Sequence, residues 1–259
     1  MPNRLRALLR SGVTAYGLWV TVESAAVSEA AAELGFDWIC VDMEHGHLSY
    51  RDAIGHARAV RGSDTTMLAR VPTIAPDAVK RVLDLGLDGV LLPLPHGRDD
   101  VARGMSYAKY PPAGVRGVGG ERAVRWGLQQ QEYLQAANDE VMVIPLIETT
   151  GAAAHIEEIL AIPRLDAIYF GPADLSADAG YLGQWEGPGI AREILRIRDL
   201  AAARGIAAGV NGRGPDDARR RRDEGFGMVG LGSEMGLLLR QASDQLRQLR
   251  GTAPTSEWI

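Results

Sequence analysis

The sequence predicts an α/β fold in which eight parallel strands close into a (β/α)8 TIM barrel, because eight β-rich runs alternate with amphipathic segments. The length of 259 residues and the hydrophobic content of 46% suit one large core, so we expect a single domain over residues 1–259. An open doubly wound sheet, which has the same alternation of elements, is the second possibility.

Each predicted strand is a short, mainly apolar run that stops at small, polar or turn-forming residues. In chain order the predicted strands are Ala15–Val20, Trp38–Asp42, Thr66–Val71, Gly89–Leu94, Val141–Ile147, Ala167–Phe170, Ile206–Val210 and Met228–Leu231.

The segments between these strands have the apolar spacing of helices that pack one face against a sheet. The predicted helices are Ser24–Leu34, Tyr50–Val60, Pro76–Leu85, Asp99–Lys109, His155–Leu160, Ile190–Arg204 and Asp216–Glu224, with Leu237–Leu249 last.

One stretch breaks the alternation. Residues 110–126 follow the fourth predicted helix, are rich in glycine and proline, and are too long for an ordinary connection. We therefore expect a functional loop over the mouth of the barrel.

Composition excludes several kinds of partner. The formal net charge is −5 and the sequence pI is about 5.6, so no basic surface predicts binding to nucleic acid. The one dense basic run, Arg219 to Arg222, spreads around a helix and is interpreted as a solvated face.

The single cysteine, Cys40, lies in an apolar run and is interpreted as a core residue in a reducing compartment. No apolar stretch has the length of a membrane span or signal peptide, so we expect a cytoplasmic protein without a membrane partner.

Two carboxylates stand where predicted strands end. Glu148 follows the run that begins at Val141, and Asp174 follows the run that begins at Ala167. The carboxyl ends of barrel strands form the rim at which α/β enzymes carry out their chemistry. Other strand ends carry further polar or aromatic side chains, namely Trp19, Glu44, His45, Arg70, Asn211 and Ser233. We expect these residues to converge on one site.

Lysine usage bears on the chemistry of this site. The only lysines, Lys80 and Lys109, fall within predicted helices, so no lysine is expected at the mouth to form a Schiff base. A pair of carboxylates with at most one imidazole suits a hard divalent cation, Mg²⁺ or Mn²⁺, with Co²⁺ as a further candidate. A 2-oxo acid could fill open coordination positions, and the metal would stabilise its enolate.

Several runs together resemble the HpcH/HpaI aldolase family, whose typical members are class II, metal-dependent pyruvate aldolases such as 4-hydroxy-2-oxoheptanedioate aldolase. The resemblance extends in order from about Gly17 to Leu239. Its most specific runs are Gly-Val-Arg-Gly-Val-Gly at residues 114–119 and Gly-Pro-Ala-Asp-Leu-Ser at residues 171–176, supported by Asp-Met-Glu-His at residues 42–45.

The resemblance implies a role for individual residues. Glu148 and Asp174 would ligate the metal, His45 would be the catalytic acid/base, and Asp84 would raise the basicity of His45. Arg70 would stabilise developing negative charge. The remaining substrate-binding set is Trp19, Gly171, Pro172, Ala173 (through its backbone N–H), Asp174 and Asn211.

Two positions depart from the heptanedioate type of the family. Leu146 stands where a glutamine is expected, and Asn211 stands where an apolar residue is frequent. Both changes lie at the acceptor end of the expected site, so they leave the reaction type intact and the aldehyde open.

The expected function is reversible cleavage of a 4-hydroxy-2-oxo acid to pyruvate, or hydroxypyruvate, and an aldehyde. One alternative is a carbon–carbon lyase acting on an acyl-CoA thioester, as in the citrate-lyase β-subunit branch. Another is a barrel that binds a phosphate ligand through the glycines of residues 209–214 and 230–233. By resemblance we also expect a homo-oligomer, a hexamer in which the last helix is exchanged between subunits.

Overall fold

Eight parallel strands form one closed barrel in the order β1 to β8, which confirms the predicted (β/α)8 architecture. The structure is a computed structural model that describes residues 2–251. The strands are β1 Ala15–Val20, β2 Trp38–Asp42, β3 Thr66–Arg70, β4 Gly89–Leu92, β5 Met142–Ile147, β6 Ala167–Phe170, β7 Ala207–Asn211 and β8 Met228–Ser233.

The helices surround this barrel. They are α1 Arg4–Arg10, α2 Ala25–Glu33, α3 Tyr50–Ala59, α4 Pro76–Asp84, α5 Arg98–Ala108, α6 Gln130–Glu140, α7 Thr150–Ala154, α8 Ile156–Leu160, α9 Pro172–Asp178, α10 Ile190–Ala202, α11 Pro215–Asp223 and α12 Glu234–Arg250, with a 3₁₀ turn at Arg122–Gly127. Among residues 2–251, no helix combines the length and the apolar character needed to cross a bilayer.

The apolar residues form two cores. Alternate residues of the strands face the helices and pack against them. The other residues fill the barrel interior, where Trp38, Cys40 and Tyr169 lie in one cluster. Burial, and secondarily the charge of Asp42, raises the pKa of the Cys40 thiol far above its usual range, as expected of an inert core residue.

Glycines make room for the large interior side chains. A Cβ atom on Gly17 would lie 1.9 Å from the ring of Trp38, and a Cβ atom on Gly209 would lie 2.3 Å from the ring of Tyr169. Because strands β1 and β7 carry no side chain at these points, both aromatic rings fit inside a barrel of only eight strands.

The expectation that residues 110–126 cover the barrel mouth is wrong for a single chain. This segment follows the end of α5, and the end of each helix lies beside the amino ends of the strands. Lys109 Nζ donates to the carbonyl oxygens of Asn138 (2.9 Å) and Val141 (2.7 Å). Arg122 donates to the carbonyl oxygens of Ala57 and Leu85. These contacts hold the segment at the base, where a cavity of about 520 Å³ opens.

The arginine run also differs in part from its interpretation as a solvated face. Arg219, Arg220 and Arg222 are exposed, but Arg221 is 1% exposed and pairs with Glu186. Because four consecutive residues cover a full helical turn, one of the four arginines must face the sheet, and Glu186 neutralises it there.

We expect Gly17→Ala to destabilise the barrel by at least about 2 kcal/mol, because the new methyl group overlaps the Trp38 ring and the interior cannot expand around it. Gly55→Ala in α3 is the matched control, since its Cβ atom would meet only the Ala25 Cβ atom at an ordinary 3.8 Å and alanine favours a helix. Urea denaturation followed by circular dichroism measures both. Equal midpoints for the two variants would contradict the account of the interior.

Candidate active site

Glu148 lies just beyond the end of β5, buried at 2% exposure. Its Oε1 atom accepts a hydrogen bond of 2.7 Å from the backbone N–H of Leu94 in the β4–α5 loop. Leu94 has a φ of 46°, a left-handed conformation that is unfavourable for a residue other than glycine. The strained backbone thus directs an N–H group at the carboxylate and fixes its orientation.

Asp174 lies in the first turn of α9 and faces Glu148 across Gly171. A Cβ atom on Gly171 would be 2.6 Å from Glu148 Oε2 and 3.5 Å from Asp174 Oδ2. The two carboxylates therefore approach the same point, and only glycine leaves that point open. Burial, opposed by the Leu94 hydrogen bond and assisted by the Asp174 charge, raises the pKa of Glu148 to about 7. Burial is the main cause of this shift, and the neighbouring Asp174 carboxylate adds to it.

The donor set of this pair is limited to oxygen. Within the part of the chain that the structure describes, no three His, Cys, Asp or Glu side chains form a cluster that could hold a metal ion. The pair could therefore supply two carboxylate ligands to a hard divalent cation and leave the remaining positions to water or substrate.

Arg70 ends β3 and pairs with Asp42, which ends β2 in register with it. Arg70 Nε donates to Asp42 Oδ1 (3.0 Å), and Nη2 donates to Asp42 Oδ2 (2.5 Å). Nη1 lies 3.0 Å from Glu44 Oε2. Burial alone would lower the pKa of Arg70, but the hydrogen bonds and charge of Asp42 and the charge of Glu44 raise it. The guanidinium is thus permanently charged and locked in place.

A guanidinium has five N–H groups, and Asp42 takes two of those on Arg70 while Glu44 faces a third. The remaining N–H groups are available to an oxygen atom at the mouth. The planar group also packs on the Trp19 ring, with the guanidinium carbon 5.0 Å from the ring centroid. This contact sets the plane in which Arg70 presents its free donors.

His45 is placed at the mouth by the turn that follows β2. Asp42 Oδ1 accepts from the backbone N–H groups of Glu44 (3.1 Å) and His45 (3.2 Å). The turn requires Gly46, since a Cβ atom there would lie 2.2 Å from the carbonyl oxygen of Asp42. The imidazole itself is exposed to solvent.

Glu44 lies in the same turn as His45 and next to Arg70. Burial raises the pKa of Glu44, Arg70 and His45 act to lower it, and the charges of Asp42 and Asp174 raise it further. Glu44 thus contacts Arg70 directly, and the charge of Asp174 is near enough to affect its pKa.

Trp19 and Asn211 meet at the ends of β1 and β7. Asn211 Oδ1 accepts a hydrogen bond from Trp19 Nε1 (2.9 Å) and a second from the hydroxyl of Tyr169 (2.8 Å). A Cβ atom on Gly230 would lie 2.0 Å from Asn211 Oδ1, so glycine in β8 is needed for this network. Both predicted substrate-binding side chains are thereby fixed to the wall of the mouth.

The chain from Gly171 to Asp174 turns from β6 into α9. Pro172 occupies the first helical position, where its lack of an N–H group has no cost. The N–H of Leu175 already bonds to the carbonyl oxygen of Gly171, whereas the N–H of Ala173 comes before any intrahelical acceptor. The N–H of Ala173 is therefore available to bind a substrate carboxylate, as predicted. That role stays a prediction.

Asp84 is not brought to His45 within one chain. It ends α4, beside the amino end of β4, whereas His45 follows the carboxyl end of β2 at the opposite end of the barrel. Asp84 Oδ1 instead accepts a hydrogen bond of 2.8 Å from Arg116 Nη2, and the Arg116 side chain is fully buried.

Two contributors were missed from the sequence. Asp42 positions both Arg70 and the His45 turn, and the signal that could have found it is the acid at the end of β2 opposite the arginine at the end of β3. Tyr169 lies in the barrel interior at 1% exposure, and its hydroxyl contacts both Asn211 and Trp19. An aromatic residue in an apolar strand gives no such signal.

Known proteins are similar to this chain over nearly its whole length. The family model described as HpcH/HpaI aldolase/citrate lyase matches residues 15–241. The chain is 33% identical to the hydroxypyruvate/pyruvate aldolase of Paraburkholderia phytofirmans, covering 96% of this chain and 98% of that protein. It is 34% identical to the 4-hydroxy-2-oxo-heptane-1,7-dioate aldolase of Escherichia coli, covering 93% of each.

A solved structure is similar over the same length. The HpcH/HpaI aldolase/citrate lyase family protein of Burkholderia cenocepacia J2315 superimposes with a TM-score of 0.91 at 33% identity, covering 96% of this chain and 99% of that one. The chain therefore belongs to the HpcH/HpaI aldolase/citrate lyase family, and the predicted class of enzyme, a carbon–carbon lyase of the aldolase type, is confirmed.

Proposed function

We propose that this chain is a metal-dependent aldolase that reversibly cleaves 4-hydroxy-2-oxo acids to pyruvate, or hydroxypyruvate, and an aldehyde. The observation that carries the proposal is the division of the mouth into two halves. A carboxylate pair, Glu148 and Asp174, lies on one side, and a guanidinium with free donors, Arg70, lies on the other. The first half suits a cation and the second suits an oxygen that gains negative charge.

The carboxylate pair is the proposed metal site, with Mg²⁺ or Mn²⁺ as the ion and Co²⁺ as a further candidate. Its two carboxylates converge beside Gly171 and offer only oxygen donors, which fits such an ion. When bound, the ion would act as a Lewis acid on the 2-oxo group and stabilise charge on the enolate. Gly171, Pro172 and Ala173 line the same side, and the free N–H of Ala173 would hold the substrate carboxylate.

Arg70 would bind the oxygen that becomes negative as the carbon–carbon bond breaks or forms. Its orientation is fixed before the substrate arrives, so little reorganisation opposes the reaction. Burial behind Trp19 and against Asp42 keeps water from that side of the guanidinium. A lysine could not replace it, because a single ammonium group cannot hold the Asp42 carboxylate and a substrate oxygen in one plane.

His45 would move the proton. Its imidazole is exposed at the mouth on a turn that Asp42 fixes, so it can reach a substrate hydroxyl directly or through one water molecule. Because Asp84 of the same chain lies at the barrel base, a pair between His45 and Asp84 would require the Asp84 of a second copy. We therefore propose the pair between His45 and Asp84 only as a contact between two subunits.

The lysines support this mechanism over one that uses a Schiff base. Lys80 is exposed on α4, and Lys109 is buried at the base, where its Nζ atom bonds to two carbonyl oxygens. Neither amine is near the carboxyl ends of the strands. An amine nucleophile would have to be at that end to meet a substrate.

The alternatives have less support. In the phosphate-binding hypothesis, glycines after β7 and β8 would hold the ligand, but Gly209 and Gly230 serve the packing of Tyr169 and Asn211. Gly212 lies against the backbone of Ala218, with 2.9 Å between that backbone and an added Cβ atom. An acyl-CoA substrate would need a basic surface for its phosphates, and the mouth instead carries mainly carboxylates.

We expect Glu148→Ala and Asp174→Ala each to abolish binding of Mn²⁺ with little loss of fold, because each removes one of only two carboxylate ligands at the rim. Titration calorimetry with Mn²⁺ measures this. Glu132→Ala, an exposed acid on α6, is the control and should bind as wild type does. EDTA should abolish turnover of wild type, and added Mn²⁺ should restore it. Normal Mn²⁺ binding by both ligand variants would refute the site.

Replacement of Arg70 by Lys and of His45 by Ala should separate charge stabilisation from proton transfer. Arg70→Lys should lose about 2 to 4 kcal/mol of transition-state stabilisation, and His45→Ala should lower kcat roughly 10²- to 10⁴-fold. Exchange of pyruvate methyl protons with deuterated water, followed by NMR, tests enolate formation without an aldehyde. Wild-type exchange and wild-type turnover in Arg70→Lys would show that Arg70 is only a structural residue of the rim.

The proposal includes a homo-oligomer, a hexamer by resemblance, that forms through α12. This helix of 17 residues has no buried residue, and its leucines include Leu238 at 58% and Leu249 at 82% exposure. Such an apolar stripe on a long helix is typical of a surface that another subunit covers.

We therefore expect Leu238→Glu to reduce the assembly to a smaller species, because the charge would have to be buried at the contact. Light scattering coupled to gel filtration measures the mass. Leu182→Glu is the control, since Leu182 is equally apolar and 85% exposed but lies in the α9–α10 connection. An unchanged mass for Leu238→Glu would exclude this face of α12 from the contact.

A further inference from the structure

The amide of Asn211 has a defined orientation. Its Oδ1 atom accepts hydrogen bonds from Trp19 Nε1 at 2.9 Å and from the Tyr169 hydroxyl at 2.8 Å. An indole N–H can only donate, so the atom facing Trp19 must be the oxygen. The Nδ2 group therefore points away from both aromatic rings, and it makes no hydrogen bond to any residue between 2 and 251.

This unused donor lies close to the proposed chemistry. Trp19 connects Asn211 to Arg70, because the indole bonds to the amide at one edge and carries the guanidinium on its face at 5.0 Å. Asn211 is half-buried at the end of β7, and β7 neighbours β6, which leads into Asp174. The Nδ2 group thus belongs to the wall of the same mouth.

The surroundings select a neutral partner for this donor. Nδ2 is a neutral N–H donor and brings no charge that would attract a carboxylate. The charged group on the face of Trp19, Arg70, already faces the carboxylates of Asp42 and Glu44. A hydroxyl oxygen accepts from an amide without a counter-charge, and an apolar group in its place would leave the N–H without a partner.

We propose that Asn211 Nδ2 is a specificity determinant that binds a hydroxyl group on one of the two reacting fragments, so that the enzyme selects hydroxylated substrates. The inference rests on the proposed aldolase function and names its substrate class. Two sources share this chemistry: the C3 hydroxyl of hydroxypyruvate and the α-hydroxyl of the acceptor aldehyde. Tyr169 is a positioning residue, since it contacts only the oxygen end of the amide.

Four substrate pairs test the proposal: pyruvate or hydroxypyruvate, each with propanal or glycolaldehyde, in the presence of Mn²⁺. For each protein, kcat/KM for a hydroxylated pair is divided by kcat/KM for pyruvate with propanal, so that loss of folded protein cancels. We expect Asn211→Leu to lower this ratio at least tenfold, because a site that bonds a substrate hydroxyl discriminates strongly against the analogue that lacks it. The pair that changes identifies whether the donor or the acceptor carries the hydroxyl.

Asn211→Leu leaves the buried Tyr169 hydroxyl without its acceptor, so a second variant is needed. Tyr169→Phe combined with Asn211→Leu removes that orphaned hydroxyl and should show the same loss of the ratio. Tyr169→Phe alone keeps the amide held by Trp19 and should lower the ratio less. A ratio that is unchanged in both Asn211 variants, for both hydroxylated fragments, would overturn the assignment of Asn211 while leaving the aldolase function intact. A wild-type enzyme that turns over none of the four pairs would overturn the aldolase function and this assignment together.

Discussion

The candidate site depends on the buried ion pair between Asp42 and Arg70. Strands β2 and β3 end in register, so the carboxylate and the guanidinium meet edge to edge with two hydrogen bonds. Such a pair contributes little net stability, but loss of one partner would leave an uncompensated buried charge at a cost of about 3 to 5 kcal/mol. Asp42 also holds the His45 turn, Arg70 covers Trp19, and Trp19 holds Asn211. This one contact thus orients the side chains at the ends of four strands, β1, β2, β3 and β7.

The same pair decides how charge is distributed over the mouth. Asp42 and Glu44 are both directed at Arg70, so their negative charge is largely compensated. Glu148 and Asp174 face each other instead, and burial, with a contribution from the Asp174 charge, raises the pKa of Glu148. The proposed cation would therefore lie on the β5–β6 side. The free donors of Arg70 remain on the other side, and a 2-oxo acid whose oxygens span both sides would be held at two points.

Much of this arrangement could be predicted from the sequence, because strand ends in a closed barrel converge whatever the details of packing. The predicted strand Ala15–Val20 is exact, and Ile206–Val210 is shifted by one residue from the observed β7. The carboxylate pair Glu148 and Asp174 lies at the mouth, as do His45, Arg70, Trp19 and Asn211. Their roles there stay predictions, but their common location follows from the alternation of strands and helices alone.

The sequence did not predict two positions correctly, those of residues 110–126 and of Asp84. In both cases the position depends on which end of a helix or strand the residues adjoin. Residues 110–126 follow a helix, so they belong to the base, although their length and glycine content suggested a loop at the mouth. Asp84 also ends a helix, so it too lies at the base of the barrel, where it meets Arg116 instead of His45. In each case the composition of the segment was informative, and its position within the repeating strand–helix unit was the stronger constraint.

The orientation of Asn211 shows the limit of sequence reasoning most clearly. An asparagine at a strand end can present either its oxygen or its nitrogen to a substrate, and the two choices select different chemistry. Here the choice is made by Trp19 from β1 and Tyr169 from β6, and it is possible only because Gly230 in β8 leaves space beside the amide. Four strands that are distant in sequence must be in the correct register before the donor faces the mouth. The hydrogen-bonding character of a substrate site can therefore be set in part by an interior residue that does not touch the substrate, and a change from Tyr169 to phenylalanine would alter the site without altering its surface.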